Sequence, residues 1–329
     1  MSQNNPLISI GVPVYNGANF IKEALDSILS QTYENFELII SDNASTDETE
    51  QICREYASKD SRVHYHRSQQ NLGAAWNFNR VVELSSGKYF KWAAHDDVLA
   101  PDFLLMCVEV LEQDPALILC HCQAKVIDDR GNVLEEYKVK LNTNSPKPQE
   151  RFHELLHQHL CFPIFGLIRI DILKNIDSPM GNYSHGDGIL LLKFALLGRF
   201  YEIPEYLFFY RKHAQQSISL FSQNFLVYND KDSKQSIELF PDFHAYAVWF
   251  DPAKKGKILF PHWRIFSECL STVWSAPISW YEKILCYLSV IKQWNGGTIL
   301  LIKDLLVVFP QIFHKLKTFT NLKLTRSRT

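Results

Sequence analysis

The stretch that decides the fold is residues 7–47, LISIGVPVYNGANFIKEALDSILSQTYENFELIISDNASTD. It opens on a short apolar run that ends before Pro13, and from Phe20 the apolar residues fall at positions 20, 21, 24, 25, 28 and 29, the spacing of one helix face. A second apolar run, residues 36–41, leads into a polar loop where Ser45 or Thr46 can cap a following helix. The stretch therefore predicts strand, helix, strand and helix in succession.

The same alternation continues along the chain, with strands predicted at residues 63–66, 88–93 and 117–122 and helices at 74–84 and 102–111. Strands that alternate with helices predict a mostly parallel sheet covered on both faces. Ligands of such sheets bind beyond the carboxyl ends of the strands. The polar loops 13–16, 42–47 and 95–97 follow predicted strands, so we expect the functional site there.

Beyond residue 122 the pattern changes. A hairpin is predicted around residues 129–132, followed by helices near 151–160 and 188–197 and strands at 164–169 and 207–211. From about residue 240 the chain is helical and rich in aromatic residues, with no further alternation of strands and helices. This change predicts a helical C-terminal region after the α/β part.

Composition excludes several classes of protein. The 329 residues are 46% hydrophobic and 21% charged, enough to bury a large core, and the formal net charge of −2 gives no general attraction to nucleic acid. The seven cysteines are odd in number and scattered, which does not favour a disulfide framework. The first residues lack the pattern of a signal peptide. We therefore expect a cytoplasmic protein that does not bind nucleic acid.

Three acidic residues stand at the ends of predicted strands: Asp42, and the adjacent pair Asp96 and Asp97. Two neighbouring carboxylates repel each other unless positive charge lies beside them, and a divalent cation with bound phosphates is one solution. The alternative is a helix cap, because Asp97 shortly precedes the helix predicted from Asp102. The pair by itself leaves both interpretations open.

Five motifs together resemble the inverting family 2 glycosyltransferases of GT-A fold. They are PVYN at 13–16, SDNASTD at 41–47, NLG at 71–73, GKY at 87–89, and HDD at 95–97 followed by Pro101. The resemblance covers roughly residues 7–215. It implies an α/β, Rossmann-like GT-A catalytic domain over residues 1–220, with the nucleotide sugar bound by about 1–125 and the acceptor by about 126–220. Residues 221–329 would form a C-terminal helical appendage.

The resemblance also implies roles in donor binding. Pro13, Tyr15, Asn16 and Asp42 would surround the nucleotide base, with Asp42 accepting a hydrogen bond from the imide nitrogen of uracil or thymine. A carboxylate suits that donor and does not pair in the same way with purine edges. The alternative for Asp42 is an Asx turn. The loop that contains Asn71 and Gly73 would pass near the base and ribose, although a plain turn explains it too.

A metal site is implied as well. By the resemblance Asp97 coordinates Mn²⁺ or Mg²⁺, Asp96 contacts the ribose or the metal, Arg211 supplies positive charge to the diphosphate, and His213 ligates the metal. The sequence departs from the commoner motif, because Ala94 stands where the family has its first acid. The ion would act as a Lewis acid that neutralises charge on the leaving nucleotide.

An inverting transfer also needs a base for the acceptor hydroxyl, and the resemblance assigns that role to Asp187. Here Gly186 replaces the glutamate of the family's Glu-Asp segment. Asp187 directly precedes an apolar helix, so an N-terminal cap is the alternative, and one residue can do both. We expect acceptor specificity to reside in residues 138–150, 161–169 and 183–185.

The sequence therefore predicts transfer of a sugar from a UDP-linked donor, or alternatively a dTDP-linked donor, to a hydroxyl of a glycan or lipid-linked acceptor with inversion. A nucleotidyltransferase is disfavoured because residues 12–19 contain no lysine or arginine for a phosphate loop. A catalytically inactive nucleotide- or glycan-binding module is the third hypothesis. Only the substitutions at Ala94 and Gly186 favour it.

The C-terminal region concentrates aromatic and basic residues. Five tryptophans lie at positions 249, 263, 274, 280 and 294, and after Asp304 only basic charges follow, at 315, 317, 323, 326 and 328. Such a segment can lie on the inner face of a membrane. The alternatives are a helical subdomain packed on the catalytic part and an interface of a homo-oligomer.

Overall fold

The computed structural model describes residues 5–156, 161–216 and 243–295, together with residues 298, 300–306, 308 and 309. The basic residues predicted to form a membrane-binding tail, and the end of the helix predicted near 151–160, lie outside the described residues. The structural statements below concern the described part of the chain.

The first half of the chain follows the predicted order of strands and helices. It comprises β1 (Ile8–Val14), α1 (Ile21–Leu29), β2 (Phe36–Asp42), α2 (Thr49–Lys59), β3 (Val63–Arg67), α3 (Ala74–Glu83) and β4 (Tyr89–Trp92). All seven residues of β1 are buried, because helices cover both faces of the sheet at this central strand. The pairs β1–β2, β2–β3 and β1–β4 are parallel. The carboxyl ends of these strands therefore meet at one edge.

The second half extends the sheet with mixed pairing. It comprises β5 (Val98–Leu99), α4 (Phe103–Gln113), β6 (Leu117–Ile127), β7 (Val133–Glu136), α5 (Pro148–Leu156), β8 (Leu167–Arg169), α6 (Ile170–Lys174), α7 (Gly186–Leu197) and β9 (Arg199–Arg211). The strand order is β3-β2-β1-β4-β8-β6-β9-β5, and β7 pairs with β6. β6 and β9 are parallel, whereas β8, β7 and β5 each join antiparallel.

The C-terminal region is helical, with α8 (Phe243–Phe250), α9 (Pro261–Ser275) and α10 (Trp280–Asn295) followed by helical residues 300–306. Buried Cys269 and Val273 of α9, and Cys286 and Val290 of α10, share one hydrophobic cluster with the leucines of α7. Helices α9 and α10 therefore pack on the α/β part. No helix in the described residues combines the length and the apolar character needed to cross a bilayer.

Two strands are longer than predicted. One strand was predicted to end at residue 122, ahead of the hairpin around 129–132, but β6 runs without a break from Leu117 to Ile127. It pairs along its whole length with β9, whose predicted start at 207 was also too late. Residues 162–165, in part predicted as strand, form a 3₁₀ turn that contains Pro163, which lacks an N–H for a ladder.

The last acidic residue of the chain stabilises the start of α9. Asp304 is buried; its Oδ2 accepts the N–H groups of His262 and Trp263 at 2.8 and 3.2 Å, and its Oδ1 lies 2.6 Å from Nδ1 of His262. A carboxylate at a helix N-terminus satisfies free N–H groups and compensates the helix dipole. Asp304 therefore ties the last described helical residues to α9.

A lysine lies in the core of the sheet. Lys91 of β4 is fully buried, its Nζ donates a hydrogen bond to the carbonyl of Phe165, and Nζ lies 4.2 Å from the ring centroid of Phe103. Burial lowers the pKa of Lys91 to about 8. The unfolded chain therefore holds this proton more tightly than the folded one between pH 8 and the ordinary lysine pKa.

We expect Lys91→Met to remove a pH-dependent part of the stability. Because the pKa of Lys91 is depressed on folding, its contribution to the free energy of unfolding rises with pH above about 8, by up to about 3 kcal/mol at full deprotonation. Urea denaturation at pH 7, 8.5 and 10 would show this rise as a difference between wild type and K91M. The control Lys88→Met changes a half-exposed lysine and should keep the rise. Equal pH profiles for wild type and K91M would refute the assignment.

Candidate active site

The loops after β1 and β2 are fastened to each other. The N–H of Asn16 donates to Oγ of Ser45 at 2.9 Å, and the N–H of Thr46 donates to Oδ1 of Asn16 at 2.8 Å. The N–H of Gly17 donates to Oγ1 of Thr49 at 2.9 Å. Asn16, predicted to contact the donor, thus joins the two loops, and its φ of 53° is one that asparagine tolerates. We call the space beside these two loops, at the carboxyl ends of β1 and β2, the cleft.

Asp42 ends β2 at this cleft and is fully buried. Its Oδ1 accepts the N–H of Ser45 at 2.8 Å, its Oδ2 accepts the hydroxyl of Tyr65 at 2.7 Å, and Nε of Arg67 lies 3.4 Å from Oδ2. The first of these bonds spans three residues and not the two of an Asx turn, but it too fastens the loop locally. A base that bound Asp42 would have to use the remaining lone pairs of these oxygens.

The other residues of the predicted base pocket differ in exposure. Pro13 lies within the buried strand β1, whereas Tyr15 just beyond the strand is 42% exposed. An exposed aromatic side chain at the carboxyl end of a central strand can stack on a planar ligand. Tyr15 is therefore the member of this group that presents apolar surface to the cleft.

Asn43 holds the loop that contains Asn71 and Gly73. Its Nδ2 donates to Oδ1 of Asn71 at 3.0 Å and to the carbonyl of Gly73 at 3.1 Å, and its Oδ1 accepts the N–H of Leu72 at 2.9 Å. Gly73 has φ +90°, and a Cβ there would lie 2.5 Å from the carbonyl oxygen of Phe250 in α8. The sequence analysis gave Asn43 no role. The signal in the sequence was an asparagine directly after Asp42, since its amide can both donate and accept hydrogen bonds.

Arg211 anchors the acidic loop to the end of β9. The side chain is fully buried; the backbone N–H donates to Oδ1 of Asp97 at 2.9 Å, and Nε donates to the carbonyl of Asp96 at 2.8 Å. Nη1 donates to the carbonyl of Asp128 at 3.0 Å and Nη2 to Oε2 of Glu23 at 2.6 Å. A buried guanidinium needs such partners. Arg211 is therefore a structural anchor of this loop, and its predicted contact with a diphosphate stays a prediction.

His213, Asp96 and Asp97 lie close to Arg211. Nε2 of His213 is 2.9 Å from Oδ2 of Asp96, and its ring packs on Phe20. Burial by itself would raise the pKa of Asp96, but His95 and His213 outweigh that effect and lower it. Burial, and then the charge of Asp96, hold the pKa of Asp97 well above its ordinary value. The nearby charges of Lys91 and Arg211 only partly offset this rise in the pKa of Asp97.

Within the described residues, no three or more His, Cys, Asp and Glu side chains are arranged to hold a metal ion. The predicted set of Asp96, Asp97 and His213 is therefore not assembled as a complete site, because His213 is turned to Asp96. The two carboxylates still suit Mg²⁺ or Mn²⁺, ions that commonly take one or two carboxylates and complete their coordination with phosphate oxygens and water. A divalent cation would add to the positive charge of Lys91 and Arg211 beside Asp97.

Asp187 lies in the first turn of α7, where its Oδ1 accepts the N–H of Gly188 at 2.8 Å. After burial, the Asp187 carboxylate is the next cause that raises the pKa of Cys161 and of Tyr246. Tyr246 is in turn a neighbour of Tyr210, whose pKa is raised by burial and then by Asp97 and Asp96. Tyr246 and Tyr210 are therefore close enough to feel the charges of Asp187 and of the acidic pair, respectively.

Tyr246 belongs to α8, for which the sequence analysis predicted no role at the site. Its ring stacks on Trp249 with the centroids 5.6 Å apart. Just beyond α8, Oδ2 of Asp251 accepts Nδ2 of Asn182 at 3.1 Å, so this segment contacts the turn that leads to Asp187. The aromatic residues at the start of the C-terminal region were the signal in the sequence.

The substitution at Gly186 has a steric reason. A Cβ at this position would lie 2.9 Å from the carbonyl oxygen of Gly181 and 3.2 Å from the sulfur of Met180. The glutamate implied by the resemblance would therefore require the turn at 180–181 to move. Asp187 is then the only acid of that pair which this local structure accommodates.

The sequence of this chain is similar to that of known proteins. The family model described as Glycosyl transferase family 2 matches residues 9–177. An uncharacterized glycosyltransferase of Rickettsia prowazekii (strain Madrid E) is 32% identical over 235 residues, which cover 70% of this chain and 72% of the relative. One of Haemophilus influenzae is 28% identical over 237 residues, covering 67% and 70%.

Among solved structures, S. aureus TarS 1–349 is similar with a TM-score of 0.60 at 14% identity, covering 88% of this chain and 72% of TarS. Its complex with UDP-GlcNAc matches with the same TM-score at 15% identity and the same coverage. At this identity the likeness concerns the fold alone. It confirms the predicted α/β fold class, a sheet flanked by helices with a C-terminal helical region.

Proposed function

This chain belongs to glycosyl transferase family 2, and we propose that it transfers a sugar from a UDP-linked donor, with dTDP-linked donors as the alternative, to a hydroxyl of a glycan or lipid-linked acceptor with inversion. The observation that carries the proposal is the convergence at one sheet edge. The loops after β1, β2 and β4 meet there and bring Tyr15, Asp42, Asp96 and Asp97 to the same side of the sheet.

The donor half of the cleft favours a nucleotide with a pyrimidine base. Tyr15 offers exposed aromatic surface beside the end of β1, and Asp42 at the end of β2 is an acceptor matched to an imide N–H. Asn43 fixes the loop of Asn71 and Gly73 at the neighbouring position. The related fold of TarS has been solved with UDP-GlcNAc, a donor of the same class.

The acidic pair would hold a divalent ion, Mn²⁺ or Mg²⁺, which when bound neutralises charge on the diphosphate. Asp97 would present Oδ2 to it, because Oδ1 accepts the N–H of Arg211. Asp96 would orient this site through its contact with His213. Asp187 would accept the proton of the acceptor hydroxyl as that oxygen attacks the anomeric carbon, and the nucleoside diphosphate would leave from the opposite side.

The cellular location is part of the proposal. All seven cysteines are free thiols, and six of them are fully buried, which suits a reducing compartment. The cleft would bind its nucleotide-sugar donor in the cytoplasm. We therefore propose a cytoplasmic enzyme that uses a soluble donor.

A nucleotide panel tests the proposed donor class. We expect UDP and dTDP with Mn²⁺ to raise the thermal midpoint of the protein, and GDP and ADP to raise it less, since a ligand stabilises the folded state by mass action. Replacing Asp42 by Asn should shrink the preference for UDP and dTDP, because the amide keeps the acceptor oxygen but loses the charge. A larger shift with GDP than with UDP would overturn the proposed base preference.

A further inference from the structure

The C-terminal helices present a large apolar surface. Of the sixteen large hydrophobic residues that are exposed in the described part of the chain, eleven lie between residues 263 and 309. Five of these form one stripe of α10: Trp280, Tyr281, Ile284, Leu288 and Ile291. Their spacing places them on one face of the helix. We call these five residues the α10 stripe.

The α10 stripe is not the face that packs on the protein. Buried Cys286 and Val290 lie on the other side of the helix and join the cluster that contains the leucines of α7. Helix α10 is therefore apolar on both sides, and within the described residues only one side is covered. Soluble proteins rarely leave a contiguous apolar patch of this kind exposed without a partner.

The C-terminal region also differs from the rest of the chain in net charge. Residues 243–329 carry 12 Lys and Arg against four Asp and Glu, a net charge of +8, whereas residues 1–242 carry 22 against 32, a net charge of −10. One of the four acids, Asp304, is buried against His262. Lys283 and Lys292 lie on α10 itself. The apolar surface therefore belongs to a strongly basic region.

We propose that the α10 stripe docks on the surface of an anionic lipid bilayer. Apolar side chains would enter the headgroup region while the basic charges of residues 243–329 meet the negative surface potential. Trp274 and Trp280 pack edge to face at 5.8 Å, and Nζ of Lys283 lies 5.3 Å from the ring centroid of Trp280. Aromatic rings beside a lysine are the side chains that interfaces between membrane and water favour.

A second copy of the chain is the competing occupant. A symmetric contact through the α10 stripe would bring Lys283 and Lys292 of the two copies close together, and like charges across an interface oppose association. An anionic bilayer has the complementary charge. Helix α10 has 16 residues, with Lys283 and Lys292 flanking the stripe, so it would lie in the plane of the interface.

The test is flotation of the full-length protein with vesicles of phosphatidylcholine alone or with 30% phosphatidylglycerol. We expect binding to the anionic vesicles at least tenfold tighter than to the neutral ones, weakening as salt is raised. The double variant I284E/I291E changes residues that are 54% and 51% exposed and should weaken anionic binding at least tenfold. The matched control V133E/L134E changes residues 52% and 56% exposed on β7 and should bind like wild type.

Three results would overturn the proposal. They are no binding of wild type to anionic vesicles, equal binding of wild type and I284E/I291E, and a wild-type dimer in sedimentation velocity that I284E/I291E dissociates. The thermal midpoint and its shift with UDP report whether the variant is folded. If the glutamate pair lowers the midpoint, I284S/I291S replaces it in the same assay, with the same expected loss of binding.

Discussion

Replacing Asp187 by Asn is expected to lower kcat for sugar transfer by at least about 100-fold, because a positioned general base contributes roughly 10²–10⁴-fold. Asparagine keeps the shape and can still accept the N–H of Gly188, so α7 should begin as before. The affinity for UDP with Mn²⁺ should change less than about threefold, since the proposed role of Asp187 is toward the acceptor and not the donor. Single-turnover rates and calorimetric UDP binding, measured on the same preparation, separate the two effects.

A second aspartate provides the control for this experiment. Asp177 is exposed and lies ten residues earlier in the same segment, so Asp177→Asn makes the same chemical change away from the cleft. It should transfer sugar at the wild-type rate. Transfer by D187N at more than a third of that rate would remove Asp187 as the base, and a parallel loss of UDP binding would show that it acts on the donor.

The order of elements could be predicted from the sequence because the parallel part of the sheet has a strong local signal. Strands β1, β2 and β4 are short apolar runs, and each helix between them has an apolar stripe of its own. The errors lie in strands whose bounds are set by pairing with distant parts of the chain. β6 continues past residue 122 because β9, more than seventy residues later, pairs with it throughout. The local sequence around residue 122 gives no information about β9 as the partner strand.

The candidate site, like the fold, could be predicted from the sequence only in part. The positions of Asp42, Asp96 and Asp97 follow from their place at strand ends, and the structure brings these ends to one edge of the sheet. The surroundings of Arg211 were not predictable, because a motif gives the residue type and not its burial or its four partners. Tyr246 was missed because α8 lies beyond the motifs, and only tertiary packing returns it to the cleft.

Replacing Asp97 by Asn should separate function from stability. The amide Oδ1 can still accept the N–H of Arg211, so the acidic loop should keep its conformation. A neutral amide is a weak ligand for a hard cation, and the developing charge of the leaving diphosphate would be poorly balanced. We expect kcat/KM to fall about 100-fold or more, and Mn²⁺ to lose its effect on the affinity for UDP in calorimetry.

Stability should move in the opposite direction to activity. Burial beside Asp96 makes the Asp97 anion unfavourable in the folded protein, as the raised pKa of Asp97 indicates. Asparagine removes that charge, so the thermal midpoint without metal should equal or exceed that of wild type, a gain often found when a strained functional group is removed. Asp102→Asn, an exposed acid five residues later, should leave activity and midpoint unchanged. If D97N lowered the midpoint and kept its response to Mn²⁺, Asp97 would be a structural residue and the ion would bind elsewhere.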